Sequence, residues 1–244
     1  MPGEMLYDAP LLTVSDEYCR KSSCTGSHGH VLLQDSMKRG SWYFDFVSLF
    51  AYLHAKQLGS LVEILEPKPV LFAAILNHWG QKGPAELASK RLYTYRRLHW
   101  VAKDRDIMFR MPATHPFNPL PYLRLAISQH CVPRIIERIF DELYTTAADP
   151  ASPKLWAELC RSIGVDDGTE ASAQLWVKEL LRRNTEEAIA AGVFGVPTVI
   201  IDGNLFWGED SLPMLRAYLK EPALFESEEM RRISNIAPSA ERSD

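Results

Sequence analysis

The stretch "YFDFVSLFAYL", residues 43–53, decides how the rest of the chain is read. Its first half alternates aromatic and acidic side chains like a short strand, and its second half has the apolar spacing of a helix. Ser48 stands where the period changes, in the position of a helix N-cap. Working outward, "SWYFDF" from residue 41 is a strand by its aromatic enrichment, and "LFAYLHAKQLG" is a helix ended by Gly59. "LVEILEP", residues 61–67, alternates apolar and acidic residues and stops at Pro67, which predicts a second strand. Residues 70–79 predict a turn or two of apolar helix, and in the loop "GQKGP" Pro84 is placed to begin another.

Residues 85–183 read as almost wholly helical. Ala88, Leu92, Tyr95, Leu98 and Val101 recur at three- and four-residue steps, with Lys90, Arg91, Arg96 and Arg97 filling the other faces. After the proline-rich loop "MPATHPFNPLP", Ile135, Ile136, Ile139, Phe140 and Leu143 form one stripe. "SPKLWAELCRSIG" has Ser152 as N-cap, Pro153 in the first turn and Gly164 at the end. A further helix runs through "SAQLWVKELLRR", after which Asn184 can cap the next one, with Glu187 in the capping-box position. The strand period returns after Gly192, where "PTVIID" and "NLFW" flank the hairpin signal Asp202–Gly203. "EDSLPMLRAYL" predicts a closing helix, and the tail from about Ser227 is polar and expected to fray.

Two strands at each end cannot bury a sheet alone. Joined through space they give one four-stranded α/β sheet, a thioredoxin-like layout with a large all-helical insertion. The expected organisation is an N-terminal extension over 1–40 and a discontinuous thioredoxin-like domain over 41–75 and 184–222. A helical insertion over 76–183 and a C-terminal tail over 223–244 complete it.

Composition narrows the function. The chain has 244 residues, 46% of them apolar, and a net charge of −4 from 27 basic and 31 acidic residues without blocks of like charge. That leaves no electrostatic footprint for nucleic acid and no polybasic membrane anchor. No secretory signal is visible at the N-terminus, and Cys19, Cys24, Cys131 and Cys160 do not suggest a disulfide framework, so the protein is expected to be soluble and cytoplasmic. Cys19, Cys24, His28 and His30 fit no standard zinc pattern and read as free residues, so no metal site is expected.

"YFDFVSLFAYL" and "GVFGVPTVIIDGNLFWGEDSL" (192–212) together resemble the 2-hydroxychromene-2-carboxylate isomerase family, a relative of the kappa-class glutathione transferases and, more distantly, of DsbA-like oxidoreductases. "QKGPAELASKRLYTYRRLHWVAK" and "FRMPATHPFNPLPYLRLAI" are similar to the middle of that family, and the resemblance covers roughly 41–220. The family usually has proline after the serine, where this chain has Leu49. The disulfide-exchanging relatives carry a Cys-x-x-Cys pair here; this chain has no cysteine within twenty residues of Ser48, so a dithiol cycle at this position is excluded.

What the resemblance implies is a glutathione-dependent cis–trans isomerase, or a kappa-like transferase or peroxidase, acting on an electrophilic, aromatic-derived small molecule. The thiolate adds to a conjugated carbon, the double bond rotates as a single bond, and it re-forms as the thiolate leaves. Ser48 then stabilises the thiolate of glutathione, beside unpaired N–H groups of the helix start; its alternative is a plain helix cap. Pro197 is implied to be cis, leaving the main chain of Val196 to pair with the cysteinyl part of glutathione. Asp210, with Glu209 beside it, is implied to bind the γ-glutamyl ammonium, the alternative being helix capping. Gln81 and Lys82 are implied to lie near the glycine carboxylate, Lys82 alternatively being solvated. Phe50, Trp207, His115 and Asn118 are candidates for the substrate cleft, with Phe50 and Trp207 alternatively in the core, and Arg96, Arg97 and Lys90 are read as an exposed helix face. A homodimer is expected from the resemblance and from the frequency of two-fold assemblies. A redox-inactive thioredoxin-like binding protein is the reading of a different class.

Overall fold

The computed structural model describes residues 40–239. Cys19, Cys24, His28 and His30, weighed above as metal ligands, lie outside the described residues. The opening stretch changes period where its residues indicate: β1 spans Gly40–Phe44 and α1 spans Leu49–Ala55. Ser48 is the N-cap between them, with extended backbone, and its Oγ accepts the Ala51 N–H at 3.2 Å.

Four strands form one sheet in the order β2-β1-β3-β4, with β2 at Leu65–Pro69, β3 at Thr198–Ile201 and β4 at Asn204–Trp207. β1 pairs parallel with β2 and antiparallel with β3, which pairs antiparallel with β4. This mixed sheet is the expected thioredoxin-like layout. The hairpin between β3 and β4 turns on Asp202 (φ 51°) and Gly203 (φ 79°), the positive pair that a two-residue connection requires.

β1 is buried on both faces. Phe44, with Phe46 beyond the strand end, packs on Phe140 of α6 (Pro133–Thr145), ring centroids 5.9 and 4.6 Å apart, and the Tyr144 hydroxyl donates to the Phe46 carbonyl at 2.6 Å. All five residues of the predicted α6 stripe are buried. On the other face Tyr43 meets Val70, Ile75 of α3 (Phe72–His78) and Ala188 near the end of α9 (Leu175–Ala190). Between α3 and α9 run α4 (Ala88–Asp104), α5 (Leu120–Ser128), α6, α7 (Pro153–Ser162) and α8 (Gly168–Ala173). Ser152 caps α7 and Gly164 follows it at φ 75°, as its sequence indicates. Leu212–Lys220 (α10) follows the sheet. No helix among the described residues is long and apolar enough to cross a membrane.

Four expectations are corrected. Residues 61–64 form a short helix, α2 (Leu61–Ile64), and the strand starts only at Leu65. It runs through Pro67 and Pro69 because β2 is an edge strand paired only with β1, so a missing N–H on its outer side costs no ladder bond. Asn184 does not begin a helix: it lies inside α9, buried, where its amide donates to the Pro69 carbonyl at 3.2 Å. The apolar stripe of α4 is buried only in its second half, through Leu98 and Val101, whereas Leu92 is 52% exposed. The tail beyond Ser227 is not frayed at once: Ser227 caps α11 (Glu228–Ile233), where Arg232 pairs with Glu229.

Candidate functional site

Two segments far apart in sequence meet at the start of α1. The Val196–Pro197 bond is cis, and the Ser48 hydroxyl lies 3.3 Å from the Val196 carbonyl, to which it donates. The expectation of a free Val196 main chain is therefore half met. The carbonyl is shared with Ser48, while among the described residues no acceptor reaches the Val196 N–H. A hydroxyl has a single proton to give, so a ligand atom that accepts from Ser48 Oγ takes it from this carbonyl.

The turn after β4 joins the same place. The Gly208 N–H donates to the Pro197 carbonyl at 3.0 Å, which sets Glu209 and Asp210 beside the cis-proline loop at the head of α10. Their fates differ. Asp210 is exposed, and the described residues include no salt bridge to it. Glu209, expected at the cofactor, is not available to it: its side chain is 1% exposed and each carboxylate oxygen is taken, Oε1 by Arg97 Nη2 at 2.9 Å and Oε2 by Arg105 Nη1 at 2.7 Å. An ammonium would meet two guanidiniums there before it met the carboxylate.

Arg97 is likewise not simply part of an exposed face. Its guanidinium sits 5.6 Å from the Phe50 ring centre while pairing with Glu209, so α4 is tied to both α1 and α10. No local pattern marks this; only the acid in the "WGED" turn hints that a cation must come from elsewhere. Phe50 packs against the main core from a half-buried position. Trp207 is 52% exposed, edge-on to Phe194 at 5.0 Å, and is therefore a surface wall and not a core residue. Gly195 makes room for it: a Cβ there would lie 2.5 Å from the indole Nε1.

His115, a candidate for the substrate cleft, is held by the protein itself. Its ring binds protein on both sides, Nε2 to the Val47 carbonyl at 2.8 Å and Nδ1 to the Tyr95 hydroxyl at 2.7 Å, so neither nitrogen is left for a substrate. The Asn118 side chain is exposed and accepts the Leu120 N–H at the first turn of α5, a local cap. Gln81 and Lys82 are exposed in the loop after α3. Trp79, just before them, donates its indole N–H to the Val193 carbonyl at 2.9 Å, which brings the loop to the segment leading into Val196.

Asp45 is the residue that the sequence pattern left unread, although an acid inside an aromatic run just before a helix cap was a visible signal. It is fully buried, its carboxylate accepting the N–H groups of Val47 and Phe72, each at 2.9 Å. Burial outweighs those two hydrogen bonds and raises its pKa from 3.8 to about 7. A carboxyl raised in this way contributes stability that is full below pH 3.8 and is lost as pH rises through about 7. Relative to Asp45→Asn, the wild type is expected to lose about 2 kcal/mol between about pH 5.5 and 8 in urea unfolding. His54, lowered to about 3 by burial, changes stability in the opposite sense but is common to both proteins. Parallel stability–pH curves for the two would rule out ionisation of Asp45 in this range.

Residues 41–220 match the family model described as the DSBA-like thioredoxin domain. The chain is 27% identical to glutathione S-transferase kappa 2 of Caenorhabditis elegans, over 74% of this chain and 91% of that one. It is 25% identical to 2-hydroxychromene-2-carboxylate isomerase of Sphingobium xenophagum, over 73% of this chain and 96% of that one. Among solved structures, a 2-hydroxychromene-2-carboxylate isomerase superimposes with a TM-score of 0.65 at 21% identity, covering 82% of this chain and 99% of that one, which bears on the fold alone.

Proposed function

The chain belongs to the DsbA-like thioredoxin domain family, and we propose that within it this protein is a glutathione-dependent cis–trans isomerase acting on an aromatic-derived keto acid. The observation that carries the proposal is the Ser48 hydroxyl at the cap of α1, 3.3 Å from the carbonyl of Val196 before cis-Pro197, in a sequence with no cysteine within twenty residues of Ser48. The residues present fit glutathione. Val196 offers an N–H without an acceptor among the described residues to a peptide laid alongside, Asp210 offers an exposed carboxylate to an ammonium, and Ser48 offers one hydroxyl proton to a sulfur. Glutathione, when bound, supplies the thiolate for reversible addition to an electron-poor double bond. Ser48 holds that sulfur in its charged form, Val196 and Asp210 orient the peptide, and Phe50 and Trp207 give the substrate an apolar wall. The similarity to a kappa-class transferase, as great as that to the isomerase, supports a second reading in which the same residues serve conjugation.

The test is retention on immobilised glutathione, elution by free glutathione, and isomerisation of 2-hydroxychromene-2-carboxylate at substoichiometric glutathione, followed by ultraviolet absorbance. Turnover exceeding the glutathione added supports the isomerase, and its consumption supports the transferase. Insulin reduction above the uncatalysed rate would remove both. Asp210→Ala is expected to weaken glutathione binding by roughly 1–2 kcal/mol, the lower range for a charged hydrogen bond because the carboxylate is exposed. Unchanged affinity with a lowered melting temperature would leave Asp210 a merely structural residue of the turn before α10, whose N-cap is Ser211.

A further inference from the structure

Val47 leads into Ser48, and side chains hold both of its main-chain polar atoms. Its N–H donates to Asp45 Oδ1 at 2.9 Å, and its carbonyl faces His115 Nε2 at 2.8 Å. The Ser48 N–H closes on the Asp45 carbonyl at 3.0 Å, and Asp45 Oδ2 takes the Phe72 N–H at the start of α3. A carbonyl can only accept, so His115 Nε2 carries a hydrogen. The neutral ring then presents Nδ1 as an acceptor to the Tyr95 hydroxyl of α4, whose one proton it shares with the His115 carbonyl at 3.0 Å, and burial, which lowers the His115 pKa, favours that neutral form. Through Asp45 and His115, contacts from α3, from α4 and from the loop before α5 thus converge on one residue, Val47. A helix cap by itself needs none of them, since Ser48 already satisfies the Ala51 N–H.

We propose that Asp45 and His115 are positioning residues that together fix Val47, one at its N–H and the other at its carbonyl, and so orient the following Ser48 and aim its hydroxyl between the Val196 carbonyl and the reacting sulfur. The chemical consequence rests on the glutathione reading above; the geometry does not. Rotation of the Val47–Ser48 peptide swings the Cα–Cβ bond of Ser48, and catalytic groups displaced by about 1 Å commonly lose on the order of a hundredfold in rate. The titratable groups facing the pair are Tyr144 of α6, toward Asp45, and Tyr95 of α4, toward His115. Burial raises both tyrosines, so they stay protonated at neutral pH and leave the pH response near 7 to Asp45.

His115→Phe keeps a flat ring without a donor, His115→Gln restores an N–H, and Asp45→Asn keeps the shape with one acceptor fewer. Amide exchange of Val47, Ser48 and Ala51, followed by NMR in the protein alone, is expected to speed up about tenfold or more in His115→Phe and Asp45→Asn and to return toward wild type in His115→Gln. With glutathione bound, the thiol pKa is expected to rise by about one unit in His115→Phe, and Ser48→Ala/His115→Phe should rise no further than Ser48→Ala alone, because the clamp acts through Ser48. Unchanged exchange in both His115→Phe and Asp45→Asn overturns the proposal whether or not glutathione binds. A lowered melting temperature with exchange and thiol pKa unmoved does the same, since it marks a merely structural role. If His115→Phe does not fold, Asp45→Asn carries both readouts. A wild type that binds no glutathione defeats the functional reading alone, and exchange still decides the clamp.

Discussion

Glu209→Ala is expected to cost roughly 3 kcal/mol of folding stability, the lower end of the range for breaking a buried ion pair by removing one partner. The carboxylate is 1% exposed, but Arg97 and Arg105 are 33% and 32% exposed, so water relieves part of the charge left behind. For a chain of this size that loss corresponds to a fall of roughly 6–12 °C in melting temperature. Glu209→Gln should lose less, since an amide keeps one acceptor for a guanidinium. Glutathione affinity should change little in either variant, because Asp210 and not Glu209 faces solvent. Calorimetry and binding measured on the same samples separate the two carboxylates. A Glu209 variant that melts normally but no longer binds glutathione would return Glu209 to the cofactor and sink the structural assignment.

Ser48→Ala should lower turnover at neutral pH by on the order of tenfold to a hundredfold. A charge-assisted hydrogen bond to the sulfur is worth roughly 1.5–3 kcal/mol, and at about 1.4 kcal/mol per pH unit its loss raises the bound thiol pKa by about 1–2. A thiol of free pKa near 8.5 is mostly protonated at neutral pH, so activity should recover in part as pH rises. The substitution also removes the cap on the Ala51 N–H, at about 1 kcal/mol of stability. That second effect alone predicts lower stability with an unmoved titration. Ultraviolet absorbance of the bound thiolate, recorded across pH for wild type and Ser48→Ala, distinguishes them. Superimposable titrations would leave Ser48 as a helix cap and nothing more.

Much of the site was legible because its marks are local. The period change over 43–53 located Ser48, and Asp202–Gly203 located the hairpin that returns Trp207 and Asp210 to the sheet end. Pro197 was placed by resemblance, and the structure has it cis. Asn118 and Glu209 have partners that the sequence did not show, for opposite reasons. Asn118 satisfies its own neighbour two residues on, a pairing that loop composition hides. Glu209 is satisfied by Arg97 of α4 and by Arg105 just beyond its end, more than 100 residues earlier, which no window around "WGED" contains.

By itself the sequence determined the order and type of most elements, the absence of a dithiol at the α1 cap, and the residue that caps it. These depend on backbone preferences and on spacing within a few residues, where each side chain meets its own neighbours. Tertiary structure alone decided that β2 slips past Pro67 as an edge strand and that Asn184 continues a helix to hold the Pro69 carbonyl. It also decided that Arg97 and Arg105 claim Glu209, and that His115 binds Val47 and Tyr95. Buried polar and charged groups are strongly driven to find partners, and which partner each finds is set by the packing of elements that are remote in sequence.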